Sequence, residues 1–313
     1  MAETYSLSLQ QSAALTRRVT TFSVATALIL TVLKAIVWIA SGSVSILASL
    51  ADSGLDLIAA LGTYAAVRYA VAPPDAEHRF GHGKAEAFAS LVQAGLVFAS
   101  AALIGQEAIL RMLHPKPVAQ EGWAIGVMVV SIALTALLIV AQTRVLRQAR
   151  SVAVSGDRAH YLGDFVSNIV AIAAIVASAL FGFGGLDALG GLAVAGVLLW
   201  GAIGVFRQAS HELMDHELPE EARARIVSLM TTDPRLIDVH QLRTRAAGPT
   251  VHIQMHADLD PELSLAAAHE VVVAAEKRVL EAFPSADIII HADPRGRAEP
   301  HGGAFAESER VLE

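Results

Sequence analysis

Cysteine is missing from all 313 positions, which excludes a disulfide scaffold, a thiolate metal site and a thiol nucleophile. Any metal this chain holds is bound through oxygen and nitrogen. Charge is scarce as well: 17% charged residues stand against 54% apolar ones, with a mean hydropathy of +0.51, a balance outside the usual range of soluble globular domains. The chain reads as a membrane protein with a soluble part. No dense run of Lys and Arg provides a phosphate-binding footprint, and the net charge of −7 argues against nucleic acid as a partner. A phosphate loop of the form GxxxxGKS/T is also absent, which disfavours an ATP-driven pump. The N-terminus MAETYSLSLQ has no basic stretch leading directly into a short apolar core and cleavage site, so a retained cytoplasmic start is expected.

About 20 apolar residues are needed to cross a bilayer. Six stretches qualify, at 19–41, 44–71, 86–112, 122–142, 161–182 and 186–208. Arg17, Arg18, Arg68, Arg79, Lys84, Arg144, Arg147, Arg150, Arg158 and Arg207 fall on one side, and only Arg111 and Lys116 on the other. By the positive-inside rule both termini are cytoplasmic. The short SGS and FGFGGLD connections predict tight hairpins joining spans one and two, and five and six, on the outer side.

Beyond residue 212 the pattern changes. PEEARARIVSLMTTDP has Pro219 at a helix start, acidic residues in its first turn, and Ile226, Leu229 and Met230 on one face. VHQLRTRAAGPTVHIQMHADL alternates with period two on both sides of an Ala-Gly-Pro turn, as a β-hairpin does. A second amphipathic helix, LSLAAAHEVVVAAEKRVLEAF, and a strand, ADIIIHAD, complete an αββαβ order. The expected fold is a membrane all-α bundle of six transmembrane helices followed by a small cytoplasmic α+β domain. The expected divisions are a cytoplasmic segment at 1–15, the spans at 16–212, the soluble domain at 213–294 and a polar, disordered tail at 295–313.

Two aspartates, Asp52 and Asp56, interrupt the second span at i, i+4 spacing, so both carboxylates point the same way. On insertion scales an Asp at a helix centre costs about 2.5–3.5 kcal/mol, and such residues are functional by default. Span five repeats the spacing with His160 and Asp164. Two helices presenting two ligands each can close around one divalent cation. Three carboxylates and an imidazole suit Zn²⁺ at about 2.0–2.2 Å, and also Co²⁺ and Fe²⁺ better than Cu⁺. Between spans two and three, Asp75, His78 and His82 form DxxHxxxH on a Gly-flanked loop, with enough donors for an exposed zinc site. In the soluble domain His240 and His256 lie on the hairpin strands, His269 on the helix, and His291 with Asp293 on the last strand. Lys34 lies seven residues from the outer end of span one and can snorkel to the headgroups.

ADSGLD, PPDAEHRFGHGKAEA at 73–87, HYLGD in span five, and HQLRTR, GPT, IQMH and IIIHADP near the C-terminus together resemble the cation diffusion facilitator family. The resemblance is greatest to its bacterial zinc and ferrous-iron efflux branch and runs from residue 16 to 294. It implies a homodimeric carrier of the inner membrane that exchanges divalent metal for protons and has a metallochaperone-like cytoplasmic domain. It further implies a transport site at Asp52, Asp56, His160 and Asp164, a loop site at Asp75, His78 and His82, and a binuclear site at His240, His256, His269, His291 and Asp293, with Asp293 as the bridge. Lys84 and Asp215 match a pair that interlocks the dimer at the membrane surface. Ala292 stands where relatives carry a polar side chain, so any contact from residue 292 comes through its backbone. His252 shares strand parity with His256 and is left without a role.

The expected function is efflux of Zn²⁺, with Fe²⁺, Cd²⁺ and Co²⁺ as further substrates, in exchange for protons. The partners are divalent metal ions, protons, the lipid bilayer and a second copy of the chain. The chain is not expected to be an enzyme. The alternative is a metal-sensing membrane protein that signals through its cytoplasmic dimer domain, a reading that leaves the four intramembrane ligands without a use. A channel is the third reading.

Overall fold

The computed structural model of the protein describes residues 6–42, 44–113, 122–181 and 186–296. Six long helices carry the apolar part: α1 (Leu9–Ser41), α2 (Val44–Ala70), α3 (Ala85–Leu113), α4 (Gly122–Leu146), α5 (Val152–Phe181) and α6 (Leu186–Leu213). At about 1.5 Å per residue each exceeds the roughly 30 Å of hydrocarbon to be crossed. Within the described residues, all but α5 also meet a strict hydropathy criterion for crossing a membrane. The remaining helix, α5, is 30 residues long and has Asp157, Arg158, His160 and Asp164 in its first half.

Two helices start earlier than their apolar runs, and capping explains both. Helix α1 begins at Leu9, inside the segment expected to precede the spans, because Ser8 and Gln11 form a reciprocal capping box: Gln11 N–H donates to Ser8 Oγ at 3.3 Å, and Ser8 N–H to Gln11 Oε1 at 3.0 Å. Helix α5 begins at Val152 rather than 161, since Ser151 Oγ accepts from Val154 N–H at 3.2 Å and donates to the buried Glu86 carboxylate at 2.5 Å. Gly42, at φ 64°, ends α1 with its N–H on Trp38 O at 2.8 Å. The rest of the SGS turn at Ser43, the centre of the FGFGGLD turn, and the tail from residue 297 lie outside the described residues.

Two hydroxyls of the bundle return to the carbonyl one turn back, Thr20 to Thr16 O at 2.9 Å and Thr143 to Ile139 O at 2.7 Å, which satisfies them without water. Close helix contact relies on small residues. A Cβ on Gly163 would lie 2.2 Å from Leu198 Cδ2, so α5 and α6 approach closely enough that an alanine there would displace the leucine side chain. Large apolar side chains such as Ile39 and Trp200 stay exposed on the bundle surface, as required of a face turned to lipid.

The chain divides into two compact units, the helical one over Ala13–Arg147 and Ser151–Ser210, and a smaller one that includes the described residues from His211 onward. The smaller unit contains α7 (Glu220–Met230), β1 (Leu236–Ala247), β2 (Thr250–Leu259), α8 (Leu265–Ala282) and β3 (Ala286–Pro294). The sheet order is β1-β2-β3, with β1 antiparallel to β2 and β2 parallel to β3. A parallel neighbour needs a crossover, and α8 provides it. Ile226, Met230, Ile253, Met255, Val271, Val279 and Phe283 form the core. Gly248 turns the hairpin at φ 57° while its N–H donates to the buried Glu212 Oε1 at 2.7 Å. A register shift between His240 and Arg243, with Gln241 at φ 50°, bulges β1.

Candidate metal centres

The bundle brings α2 and α5 together at their ionisable residues. His160 Nε2 lies 2.9 Å from Asp56 Oδ1 and 3.7 Å from Asp164 Oδ2, and one ligand atom from each of the three falls within 4.8 Å of the others. Asp52 sits one turn away on α2, exposed and outside that group. Three of the four ligands expected in the membrane therefore converge, and the fourth is adjacent.

On the loop, Asp75 gathers both histidines: Oδ1 is 3.3 Å from His78 Nδ1, and Oδ2 is 3.1 Å from His82 Nε2. The loop is shaped by its own backbone, with the N–H groups of His78 and Glu77 donating to Asp75 Oδ1 at 2.6 and 2.9 Å. The His78 N–H bond, with smaller contributions from Glu77 and the His78 side chain, holds the Asp75 carboxyl below the usual carboxylate range. That keeps it ionised and available as a ligand. His82 is buried against the Tyr69 ring, 4.3 Å between centroids, with Nδ1 3.4 Å from Ala72 O. Such a bond at one ring nitrogen orients the other towards a metal.

In the soluble domain, strand register does the assembly. His240 pairs with His256, and His256 with His291, so three imidazoles occupy one rung across the sheet. Asp293, two residues beyond His291 and on the same face, has Oδ2 2.7 Å from His256 Nδ1 and 3.6 Å from His240 Nε2, and Oδ1 3.2 Å from His291 Nε2. The tight group is His240, His256 and Asp293. His269 is exposed on α8 and is not part of it.

Residues 20–214 match the family described as cation efflux transmembrane domain, and 218–295 match the cation efflux protein cytoplasmic domain. The chain belongs to the cation efflux family. It is 41% identical over 272 residues to the cation-efflux pump FieF of Shewanella oneidensis, covering 87% of this chain and 92% of the relative. The corresponding proteins of Serratia proteamaculans and Salmonella arizonae are each 38% identical, covering 91% and 86% of this chain and 94% and 90% of theirs.

Three features of this cation efflux protein were not evident from residue spacing. Asp157, 1% exposed and one turn before His160, accepts from Ser23 Oγ (2.7 Å), Gln142 Nε2 (2.8 Å) and Gln93 Nε2 (3.4 Å), and Gln93 also donates to Thr63 Oγ1 at 3.0 Å. Residues from α1 to α5 thus meet at one buried carboxylate, which fixes α5 beside the site. The sequence signal was present as a second acid in α5 and glutamines within apolar helices. Asp258, on the His256 face of β2, lies 3.3 Å from His240 Nε2, a pairing made by the β1–β2 register. Lys34 does not snorkel outward: its Nζ donates to Ser53 Oγ at 2.6 Å and Ser49 O at 3.2 Å on α2. Asp215 accepts from Arg245 Nη1 at 3.1 Å. His252 is buried and pairs with Asp287 at 3.1 Å, and burial, assisted by Arg245, holds its pKa below the ordinary histidine value. Ala292 shares its strand face with Ile288 and Ile290, which pack on the core, so its side chain points away from the histidine row.

Proposed function

We propose that this protein exports divalent transition metal, Zn²⁺ first and Fe²⁺, Cd²⁺ or Co²⁺ with it, from the cytoplasm in exchange for protons. It works as a homodimer in the bacterial inner membrane, with both termini cytoplasmic. The observation that carries the reading is the Asp56, His160 and Asp164 group inside the bundle. A sensor or a structural membrane protein has no need of ionisable groups in hydrocarbon, whereas a carrier does. Relatives covered almost end to end are named cation-efflux pumps, which supports the same direction of transport.

Asp52 is the fourth ligand in this reading, one α2 turn from Asp56 and on the same side by i, i+4 geometry. The coupling follows from the donors. Metal coordinates lone pairs on neutral imidazole and ionised carboxylate, so metal and protons are alternative occupants of the same atoms. Opening to the cytoplasm favours metal; opening to a more acidic exterior favours protons and releases the metal. His160 is the natural proton carrier of the set, since histidine is the side chain that titrates near the working range.

The Asp75, His78 and His82 loop delivers metal to the bundle. The His240, His256 and Asp293 group, with His291 and His269 as further ligands, binds regulatory zinc and steadies the dimer. Its oxygen and nitrogen donors suit that ion. The deciding experiment is zinc flux in proteoliposomes with an imposed pH gradient and a proton-reporting dye inside. Acidifying the trans side should raise flux, with proton counter-movement. Flux indifferent to the gradient, without proton movement, refutes antiport and favours a channel.

A further inference from the structure

We infer that Lys34 is the resident counter-cation of the intramembrane site, a fixed positive charge that weakens metal binding enough for the metal to be released. The inference rests on the transport reading above. Lys34 belongs to α1, which supplies none of the metal-binding groups, yet its ammonium points into α2. It donates to Ser53 Oγ at 2.6 Å and Ser49 O at 3.2 Å. Ser53 is 1% exposed and follows Asp52 directly. Thr31, one turn earlier on α1, shares its hydroxyl hydrogen between Ala27 O at 2.8 Å and Ser53 O at 3.0 Å. Two α1 side chains therefore grip one α2 residue lying between Asp52 and Asp56.

Serine oxygens do not offset an ammonium removed from water; nearby anions do. Held on Ser53, the Lys34 ammonium stands at an α2 position flanked by Asp52 and Asp56, the two carboxylates that α2 brings to the site. Its donors are directed at serine and leave the carboxylate oxygens available to a metal, so it influences the site through its field without occupying it. With a divalent ion bound, three carboxylates and Lys34 sum to zero. Without Lys34 the same loaded site carries a net negative charge and holds the cation more tightly, at the expense of release. A purely structural lysine would act differently, since any substitution would loosen α1 from α2 whatever its charge.

The test compares full-length wild type, Lys34→Gln, Lys34→Met and Lys34→Arg by zinc flux against zinc concentration in proteoliposomes. Removing the charge should lower the apparent KM by at least about tenfold, within the usual span of site-to-site coupling, and lower kcat as release becomes limiting. Lys34→Arg, which restores the charge, should move both values back towards wild type. If the Gln and Arg variants lose flux alike, or the Gln variant leaves KM unchanged, the inference is overturned. Should neither neutral variant accumulate in the membrane, Lys34→Gln with Asp52→Asn rebalances the charge: recovery of the folded protein supports the inference, and no recovery overturns it. Absence of zinc flux in the wild type would instead fail the transport reading itself.

Discussion

Replacing Asp56 with asparagine removes one charge and almost no volume. The 2.9 Å approach of His160 Nε2 to Oδ1 can survive, because the asparagine carbonyl still accepts an N–H, and a neutral hydrogen bond of this kind contributes only about 0.5–1.5 kcal/mol. The fold should therefore change little. The metal site should change a great deal. Loss of an outer partner that merely orients a ligand costs about 10–100-fold in affinity or activity. Asp56 is itself one of three groups within 4.8 Å, so losing its anionic oxygen should cost at least about 100-fold, or about 2.8 kcal/mol at roughly 1.4 kcal/mol per factor of ten. The assay is initial zinc flux in proteoliposomes at fixed zinc and pH gradients, with gel filtration to confirm that the dimer is intact. An intact Asp56→Asn dimer with flux within twofold of wild type would refute the site assignment.

Asp52→Asn is expected to reduce the same flux by about tenfold or more if Asp52 completes the ligand set; a change under twofold would leave a three-ligand site. His256→Ala or Asp293→Ala should weaken zinc binding to the isolated 213–294 domain and reduce, without abolishing, transport by the full chain. Calorimetry that detects no zinc binding to the unsubstituted domain would show the histidine row to be incidental. Gly163→Ala, whose Cβ would fall 2.2 Å from Leu198 Cδ2, should displace that side chain and destabilise the bundle by about 1 kcal/mol, read as a lower thermal midpoint. The Asp233 pKa is lowered to about 2, chiefly by its side-chain hydrogen bond with Arg235. That contribution is present above the ordinary carboxyl value of about 3.9 and is lost as pH falls towards 2. Asp233→Asn should accordingly make unfolding of the soluble domain between about pH 4 and 2 less steep, measured by circular dichroism.

Much of the chemistry was legible in one dimension because it depends on period. Run length and hydropathy indicated the long helices, and i, i+4 spacing put two ligands on one face of each of two spans. DxxHxxxH lies within eight residues, and its geometry is closed by Asp75 accepting from the backbone of Glu77 and His78. Period two placed His252 and His256 on one face of β2, although the bulge at Gln241 that sets His240 opposite His256 has no reliable signature in the letters. The αββαβ order followed from the same reading. His269 lies on an exposed face of α8, outside the tight group of His240, His256 and Asp293, a separation that helix periodicity does not reveal.

Periodicity assigns a residue to a face but does not say which element that face meets. Lys34 is the plainest case, since the same side chain on the same helix can extend to the headgroups or turn onto α2, and only packing selects Ser53. Asp157 is another: its partners Ser23, Gln93 and Gln142 come from 134, 64 and 15 residues away, so its role as a hub exists only once five helices are assembled. The sequence alone determined which residues carry metal-ligand chemistry and where the long apolar runs lie, because those depend on composition and local spacing. The tertiary structure decided which of those residues share a site and which charge stands beside it, because burial in a bundle permits an ionisable group only where another helix brings it a partner.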